Sequence, residues 1–400
     1  MLGSKKHCIY DLNQGHLYHI SDHVVRLIEK ITSYNIMDLN LSPRDKSMIN
    51  NLENTSLIIT SDLREKQDNI FSLRKMILPK FSWIEVTRQC NLSCSFCYEK
   101  SNQYCKDRMS LDDFYYVCDE LKNNGIERIQ LIGGEPLLLG DDLRTMVKYS
   151  CRFFHFIELY TNGTLINKDW ASFFKQNNIS IAISIHSYIP SEHDRLTTVA
   201  GSHKNTIRGL NHLNEHNVNY NIACVSNANC DIGEKTRDIK YTLFAKDPKI
   251  IGRAHINQYN FDLFKSKAIT KKSKISLLNK NRVVKAISGH QCFIKKMYIS
   301  HKLDVYPCVM ERRIKYGNLK IDKFSNLLKQ GMIGLSKDHI NECKECEFRY
   351  SCFDCRPDSN GNGLFEKPWY CTYLPREGRW VNIEKRWQEL MGEHKGPVGR

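Results

Sequence analysis

Trp83-Ile-Glu-Val-Thr-Arg-Gln-Cys90-Asn-Leu-Ser-Cys94-Ser-Phe-Cys97 is the stretch whose reading decides the fold. Its first half, rich in β-branched and aromatic residues through Thr87, reads as a strand. Cys90, Cys94 and Cys97 follow at once, in the loop where a parallel β/α fold gathers its chemistry. Three thiolates do not complete a structural zinc site, which takes four ligands. They would hold three irons of a 4Fe–4S cube and leave the fourth iron open to chelate a small molecule and pass it an electron. Taken alone, the CxxxCxxC spacing also suits zinc.

Outward from this stretch the chain alternates. Strand patterns cover Trp83–Thr87, Arg128–Ile132, Phe154–Tyr160, Ile179–Ile185, Asn219–Val225 and Arg253–Gln258. Helix patterns cover Ser110–Asn124, Asp141–Tyr149, Lys168–Asn177, Thr206–His216 and Lys235–Phe244. Ser110-Leu-Asp-Asp113 is a helix-start signal and Gly125 a stop. Such alternation implies a parallel sheet with helical cover. Six units fall short of eight, so the expected fold is α/β, an open partial (β/α)6 TIM-like barrel with its functional loops at the strand C-termini.

Gly133-Gly134-Glu135-Pro136 follows the second strand and Thr161-Asn162-Gly163-Thr164 the third. Glycines there allow close backbone approach to a ligand, although either loop alone reads as a strand-to-helix turn. In this order, with the cysteines after strand one, residues 81–260 resemble the radical S-adenosylmethionine (SAM) superfamily. The resemblance implies that Cys90, Cys94 and Cys97 bind a 4Fe–4S cluster whose unique iron takes the methionine amino and carboxylate groups of SAM. It places Phe96 near the adenine and the Gly133–Pro136 loop (Gly133, Gly134, Glu135, Pro136) at the methionine amino group. Thr161 and Asn162 would also line the cofactor, with Ser184 facing the ribose and Arg195 the carboxylate. Many relatives carry aspartate where His186 stands here.

Sixteen cysteines in 400 residues are too few for a disulfide scaffold, and clustered as they are they read as metal ligands in a reducing compartment. Cys292 and Cys308 form a wide pair. Cys343-x2-Cys346-x5-Cys352-x2-Cys355 with Cys371 would suggest a zinc ribbon by itself. Behind such a barrel, these seven resemble the SPASM extension with its auxiliary 4Fe–4S clusters. The resemblance implies that Cys292, Cys308 and Cys355 ligate a nearer cluster, and Cys343, Cys346, Cys352 and Cys371 a farther one. Two departures stand out: two residues instead of three precede Cys355, and Leu303 replaces a usual glycine. No eighth cysteine precedes Cys292, which leaves His290 as a conceivable fourth ligand. Of the isolated cysteines, Cys118 and Cys224 read as small core residues.

Residues 6–75 read as a small α+β unit. Strands His7–Tyr10 and His16–Ile20 flank Asn13-Gln14-Gly15. A helix over His23–Ile31 follows Ser21 or Asp22, a second starts at Ser42-Pro43, and Leu57–Thr60 would close the sheet. The order resembles a winged helix and the leader-recognition element of peptide maturases, in which a leader adds as a strand.

The expected organisation is a leader-recognition domain over 1–75, the partial barrel over 76–260, a basic connector over 261–289, the SPASM domain over 290–375, and a C-terminal helix and tail over 376–400. At roughly 150 residues per domain, two to three domains fit this length. Lys+Arg exceed Asp+Glu by 59 − 44 = 15, which suits an acidic peptide. With 41% hydrophobic and 26% charged residues, a disordered chain is excluded. No apolar run approaches about 18 residues, and Met1–Tyr10 lacks a signal peptide's apolar stretch, so a cytoplasmic protein without a membrane partner is expected.

The resemblance thus implies a radical SAM/SPASM maturase, with the grasp-with-spasm type as the suspected subgroup, three 4Fe–4S clusters and SAM. Its partners would be a precursor peptide with a leader and a reductase, flavodoxin or ferredoxin; no nucleic acid is expected. A 5′-deoxyadenosyl radical would take hydrogen from the peptide, leading to a thioether or carbon–carbon crosslink. The alternatives are oxidation of a protein cysteine or serine, as by sulfatase maturases, and a zinc-ribbon nucleic-acid binder.

Overall fold

The computed structural model describes residues 1–58, 70–74, 77–225, 243–246, 249–255, 259–273, 278–290, 292–330, 334–359 and 363–393. Its centre is a parallel sheet built of β3 (Phe81–Thr87), β4 (Arg128–Gly133), β5 (Phe156–Thr161), β6 (Ser180–Ser184), β7 (Tyr220–Val225) and β8 (Leu243–Lys246), neighbours in that order. Central strands of a parallel sheet are buried on both faces, and Ile84, Val86, Ile129, Leu131, Leu159, Ile181 and Ile183 are all inside. Helices α3 (Leu111–Asn123), α4 (Asp141–Ser150), α5 (Lys168–Gln176) and α7 (Ser202–Glu215) cover it. Ser110 caps α3 through its hydroxyl to the Asp113 amide. That helix buries Phe114, Val117, Cys118 and Leu121, the larger of them contributing about 1.5–3 kcal/mol each. Cys118 and Cys224 are buried as small core residues.

Two expectations fail locally. The sixth strand is Leu243–Lys246, in register with Ile222–Val225, not Arg253–Gln258. Leu243 and Phe244 thus lie in a strand instead of the end of a helix, because edge pairing overrides helix propensity. The rest of that expected helix, Cys230, Thr60 and residues 256–258 lie outside the described residues. Arg253–His255 turn after Gly252, whose φ of +70° lets the chain pass against the Tyr98 backbone. The short α6 (Pro190–Thr197) was not expected; it opens with proline and ends at left-handed Thr198.

The basic connector is no featureless link. It holds α8 (Phe261–Lys267) and α9 (Lys280–Ser288), each capped by an asparagine, Asn260 or Asn279. Leu263 and Phe264 of α8 pack with Trp369 and Leu390, and Val283 and Ile287 of α9 with Tyr350.

Beyond it, β9 (Lys296–Ile299) runs parallel beside β3, and β10 (Asp304–Tyr306) and β11 (Gly317–Asn318) continue the sheet antiparallel. The nine-stranded sheet therefore joins the barrel to the first part of the cysteine-rich region. Helix α10 (Phe324–Gln330), the hairpin of β12 (Tyr373–Leu374) with β13 (Arg379–Trp380), and α11 (Ile383–Glu393) complete the chain.

At the N-terminus, β1 (His7–Asp11) and β2 (His16–Ile20) form a hairpin, followed by α1 (Asp22–Ser33) and α2 (Pro43–Asn54). Ser21 caps α1, and Ser42 with Asp45 forms a capping box ahead of Pro43. Leu57 and Ile58 are not in a strand. Tyr10 and Leu17 pack with the α9 cluster, so the hairpin is fastened to the C-terminal half. No helix of the described residues is long and apolar enough to cross a membrane.

Candidate active site

The loop leaving β3 is braced by backbone bonds. Cys90 donates its amide to Asn102 (3.1 Å), and Cys97 to Cys94 (3.1 Å). The Leu92 amide and the Asn162 side-chain amide approach Cys90 Sγ at 3.4 and 4.0 Å. Burial pushes the Cys94 thiol up to about 12, and Cys97 adds to the rise. Burial also raises Cys90, with Glu135, Cys94 and Cys97 contributing, so the three sulfurs share one neighbourhood. A single zinc ion would draw its thiolates to about 3.8 Å of one another. Among the described residues no group of cysteines closes to within 4.8 Å; the one potential single-ion group at that limit is Cys8, His19 and Glu347.

Arg253 is the residue that sequence reading missed. Its Nε donates to the Cys94 carbonyl (2.7 Å), a terminal nitrogen to the Ser101 carbonyl (2.9 Å), and its amide to the Cys97 carbonyl (3.0 Å). One side chain thus holds both ends of the cysteine turn, and nothing local in sequence announces it.

Gly133 and Gly134 are packed against the cysteine loop. A Cβ on either would strike the backbone of Thr87 or Gln89, and the Gly134 and Glu135 amides donate to the Thr87 and Gln89 carbonyls at 2.8 and 2.7 Å. The loop is zipped against the cysteine loop. The Glu135 carboxylate points inward, accepting from the Thr161 hydroxyl (2.7 Å) and the amides of Asn162 (2.8 Å) and Leu137 (3.1 Å). Burial pushes it up to about 7, against those three bonds. Pro136 opens the short turn behind it. Asn162 donates to Asn91 (2.9 Å), which donates to Thr164 (2.8 Å), tying the third loop to the first. Cysteines, glycine loop and Thr161-Asn162 are therefore one hydrogen-bonded rim.

Phe96 meets His186 edge-on at 4.6 Å, and His186 stacks on His193 at 5.6 Å. Burial pushes His186 down to about 3 and His193 to about 4, so both imidazoles are neutral. Here the chain presents an uncharged aromatic stack. Ser184 ends β6 and is half-buried. Arg195 is exposed on α6 and is not gathered into the rim.

Burial pushes Cys355 up to about 12, and Cys292 and Cys308 are among the groups that add to the rise. Burial likewise raises Cys343, with Cys371 and Cys352 nearby, and Cys346, with Cys352 and Cys343 nearby. Cys355 thus has Cys292 and Cys308 among its neighbours, and Cys343 and Cys346 lie near Cys352, with Cys371 beside Cys343. His290 is spoken for: Nδ1 accepts from the Cys292 amide (3.3 Å) and Nε2 faces Asp354 (3.5 Å). Leu303 has φ +65°, the left-handed region that favours glycine, so the departure in sequence leaves the turn intact.

A charged network missed in sequence joins the two cysteine regions. Glu99, just past Cys97, pairs with Arg312, just past Cys308. Arg312 stacks on Tyr298 at 3.8 Å, and His301 meets Glu85 at 2.7 Å. Burial pushes Glu85 up, but bonds from His301 and the charge of Arg312 outweigh it and hold the carboxyl below its usual range.

This parallel barrel, with three cysteines after its first strand and glycine and asparagine loops beside them, defines a radical SAM domain. The sequence profile described as Radical SAM superfamily matches residues 84–244. An uncharacterized Methanocaldococcus jannaschii protein is 30% identical over 234 residues, 54% of this chain and 73% of that one. The chain belongs to the radical SAM superfamily, whose members use a 4Fe–4S cluster and SAM.

It is similar to the subtilosin biosynthesis protein AlbA of Bacillus subtilis, 26% identical over 50% of this chain and 46% of AlbA. It is also similar to a cysteine-type anaerobic sulfatase-maturating enzyme of Clostridium novyi, 26% identical over 73% of this chain and 90% of that protein. The chain thus spans about half of AlbA and most of the maturating enzyme. Among solved structures, anSMEcpe with bound AdoMet and Cp18Cys peptide shares the fold at TM-score 0.53 and 18% identity, covering 79% of this chain and 98% of that one. Streptococcus suis SuiB bound to SAM shares it at 0.53 and 16%, covering 89% and 96%.

Proposed function

We propose that this chain is a radical SAM peptide maturase with a SPASM-type C-terminal region. Cys90, Cys94 and Cys97 would hold the SAM-binding cluster, Cys292, Cys308 and Cys355 a nearer auxiliary cluster, and Cys343, Cys346, Cys352 and Cys371 a farther one. When bound, the first cluster and SAM supply a 5′-deoxyadenosyl radical that abstracts hydrogen. The chain's part is to bind and orient. The rim of Asn91, Asn162 and the Gly133–Pro136 backbone positions the cofactor, with Phe96, Ser184 and neutral His186 lining its adenosyl side. Arg195 would join only if α6 shifts.

The observation that carries the peptide reading is a cavity of about 990 Å³, lined by His19, Ile20, Ser21 and Trp380 and reaching Cys346, Cys352 and Cys371. It brings the end of β2 to the cysteine-rich region, and an extended peptide could add there as a strand. The names of AlbA and of the B. subtilis sporulation killing factor maturation protein SkfB, 28% identical over 38% of this chain, support a peptide substrate. A thioether or carbon–carbon crosslink removes two hydrogens from the peptide: one would be taken up as 5′-deoxyadenosine, the other would leave as a proton with its electron passing to an auxiliary cluster. The match over most of the C. novyi enzyme favours, as second reading, oxidation of a cysteine or serine to an aldehyde.

The test is anaerobic incubation of the reconstituted chain with SAM, reductant and the short peptide encoded beside it. Loss of two hydrogens without hydrazine reactivity supports the crosslink, and a hydrazine-reactive product the aldehyde. SAM cleavage that never modifies a peptide or protein refutes both.

A further inference from the structure

Cys8 and His19 are far from any ligand spacing in sequence, yet they are directly opposite each other on β1 and β2. Both side chains therefore leave the same face of the hairpin. The Cys8 sulfur lies 3.5 Å from His19 Nδ1. Glu347, from the C-terminal region, brings a carboxylate oxygen to the same point, so that one ligand atom from each residue lies within 4.8 Å of the other two.

The surroundings are those of a built site. Cys8 and Glu347 are fully buried. Glu347 Oε1 accepts from the Tyr373 hydroxyl (2.6 Å), while Oε2 has no hydrogen-bond partner. Among the described residues no ion pair reaches this carboxylate. A buried carboxylate left so is expensive unless something positive completes it. Phe348 packs edge-on against the His19 ring at 5.4 Å and fixes its plane. The Tyr10 hydroxyl donates to the Glu347 carbonyl (2.6 Å), so the backbone that carries the carboxylate is tied to the hairpin.

We propose that Cys8, His19 and Glu347 bind one zinc ion that clamps the N-terminal hairpin to the cysteine-rich region. One thiolate, one imidazole and one carboxylate are a zinc donor set, and ligand atoms spaced 3.5–4.8 Å need only small shifts to meet a tetrahedral ion. His19 and Glu347 line the cavity described above, which leaves a fourth position for water. Binding releases the Cys8 proton, and the ion supplies the charge that Glu347 lacks. None of the three ligands is among the ten cysteines assigned to iron, although Glu347 directly follows Cys346, and the site does not rest on the maturase reading.

The test uses the full chain, purified with zinc present and with its iron–sulfur clusters reconstituted. Zinc per chain and zinc X-ray absorption are measured for the wild type and for Cys8→Ser, His19→Gln and Glu347→Gln. The expected result is about one zinc per chain with a single sulfur near 2.3 Å and nitrogen or oxygen otherwise. Each variant should lose zinc at least tenfold while keeping its iron. Zinc-free protein at full iron loading overturns the proposal. So does zinc with three or four sulfurs that survives Cys8→Ser, the mark of zinc lodged in an iron site.

Discussion

Gly134→Ala tests whether the glycine loop exists to seat the cysteine loop. The backbone of Gly134 is open to other residues, since its φ is not in the glycine-only region, so the effect is steric. An added Cβ would lie 2.6 Å from the Gln89 carbonyl carbon and 2.7 Å from the Arg88 carbonyl oxygen, with the Gln89 oxygen closer still. These are backbone atoms and cannot swing aside. Overpacking costs about 1–3 kcal/mol, and parting the strands sacrifices the bonds from Gly134 to Thr87 and from Glu135 to Gln89 at about 1 kcal/mol each. The sum is roughly 3–5 kcal/mol. Because Gln89 precedes Cys90, the loss should appear both in denaturant midpoint and as faster chelator stripping of the Cys90–Cys97 cluster. Gly392→Ala, with nothing within 4 Å, is the control and should be neutral or slightly stabilising. A Gly134→Ala protein with wild-type midpoint and wild-type iron retention would refute the seating role.

Two further outcomes follow from the site. Arg253→Lys keeps the charge but loses the fork across Cys94 and Ser101, costing about 1–3 kcal/mol, so iron should leave the first cluster faster while iron at the proposed auxiliary sites stays; equal rates would refute the clamp. His186 and His193 have folded pKa values of about 3 and about 4, below the unfolded 6.5. Their stabilising effect is present above pH 6.5 and is lost as pH falls, because the unfolded chain then binds protons that the folded one refuses. From pH 6.5 to 5 each should cost about 2 kcal/mol, and urea melts of His193→Asn should show the slope reduced by one group.

The sheet and first cysteine loop were legible because their signals are local. β-branched runs, the Ser110 cap and tight cysteine spacing are each contained within a few residues. What stayed hidden depends on distant partners. Arg253 looks like any other arginine until the chain turns at Gly252 and brings it beneath Cys94. Helices α8 and α9 have narrow apolar faces amid lysines, and the aromatic residues that cover them, Trp369 and Tyr350, are some hundred residues away in sequence or fewer. The strand at Leu243–Lys246 takes its identity from its neighbour Tyr220–Val225. Cys8 gains its companions only when the hairpin meets Glu347. Leu303 shows the reverse case, a glycine position whose conformation persists after the glycine is gone.

The parallel pairing of β9 with β3 bears on how such enzymes can be recombined. β3 delivers Cys90, and β9 lies between Cys292 and Cys308, so one ladder of backbone bonds spaces the two cysteine sites. A cut near residue 290 would strip β3 of its neighbour and bare an apolar edge prone to adding foreign strands. Chimeras between relatives should therefore exchange barrel and β9–β11 together and place the junction beyond Asn318. The unit of inheritance is the sheet, whatever the order of its parts along the gene.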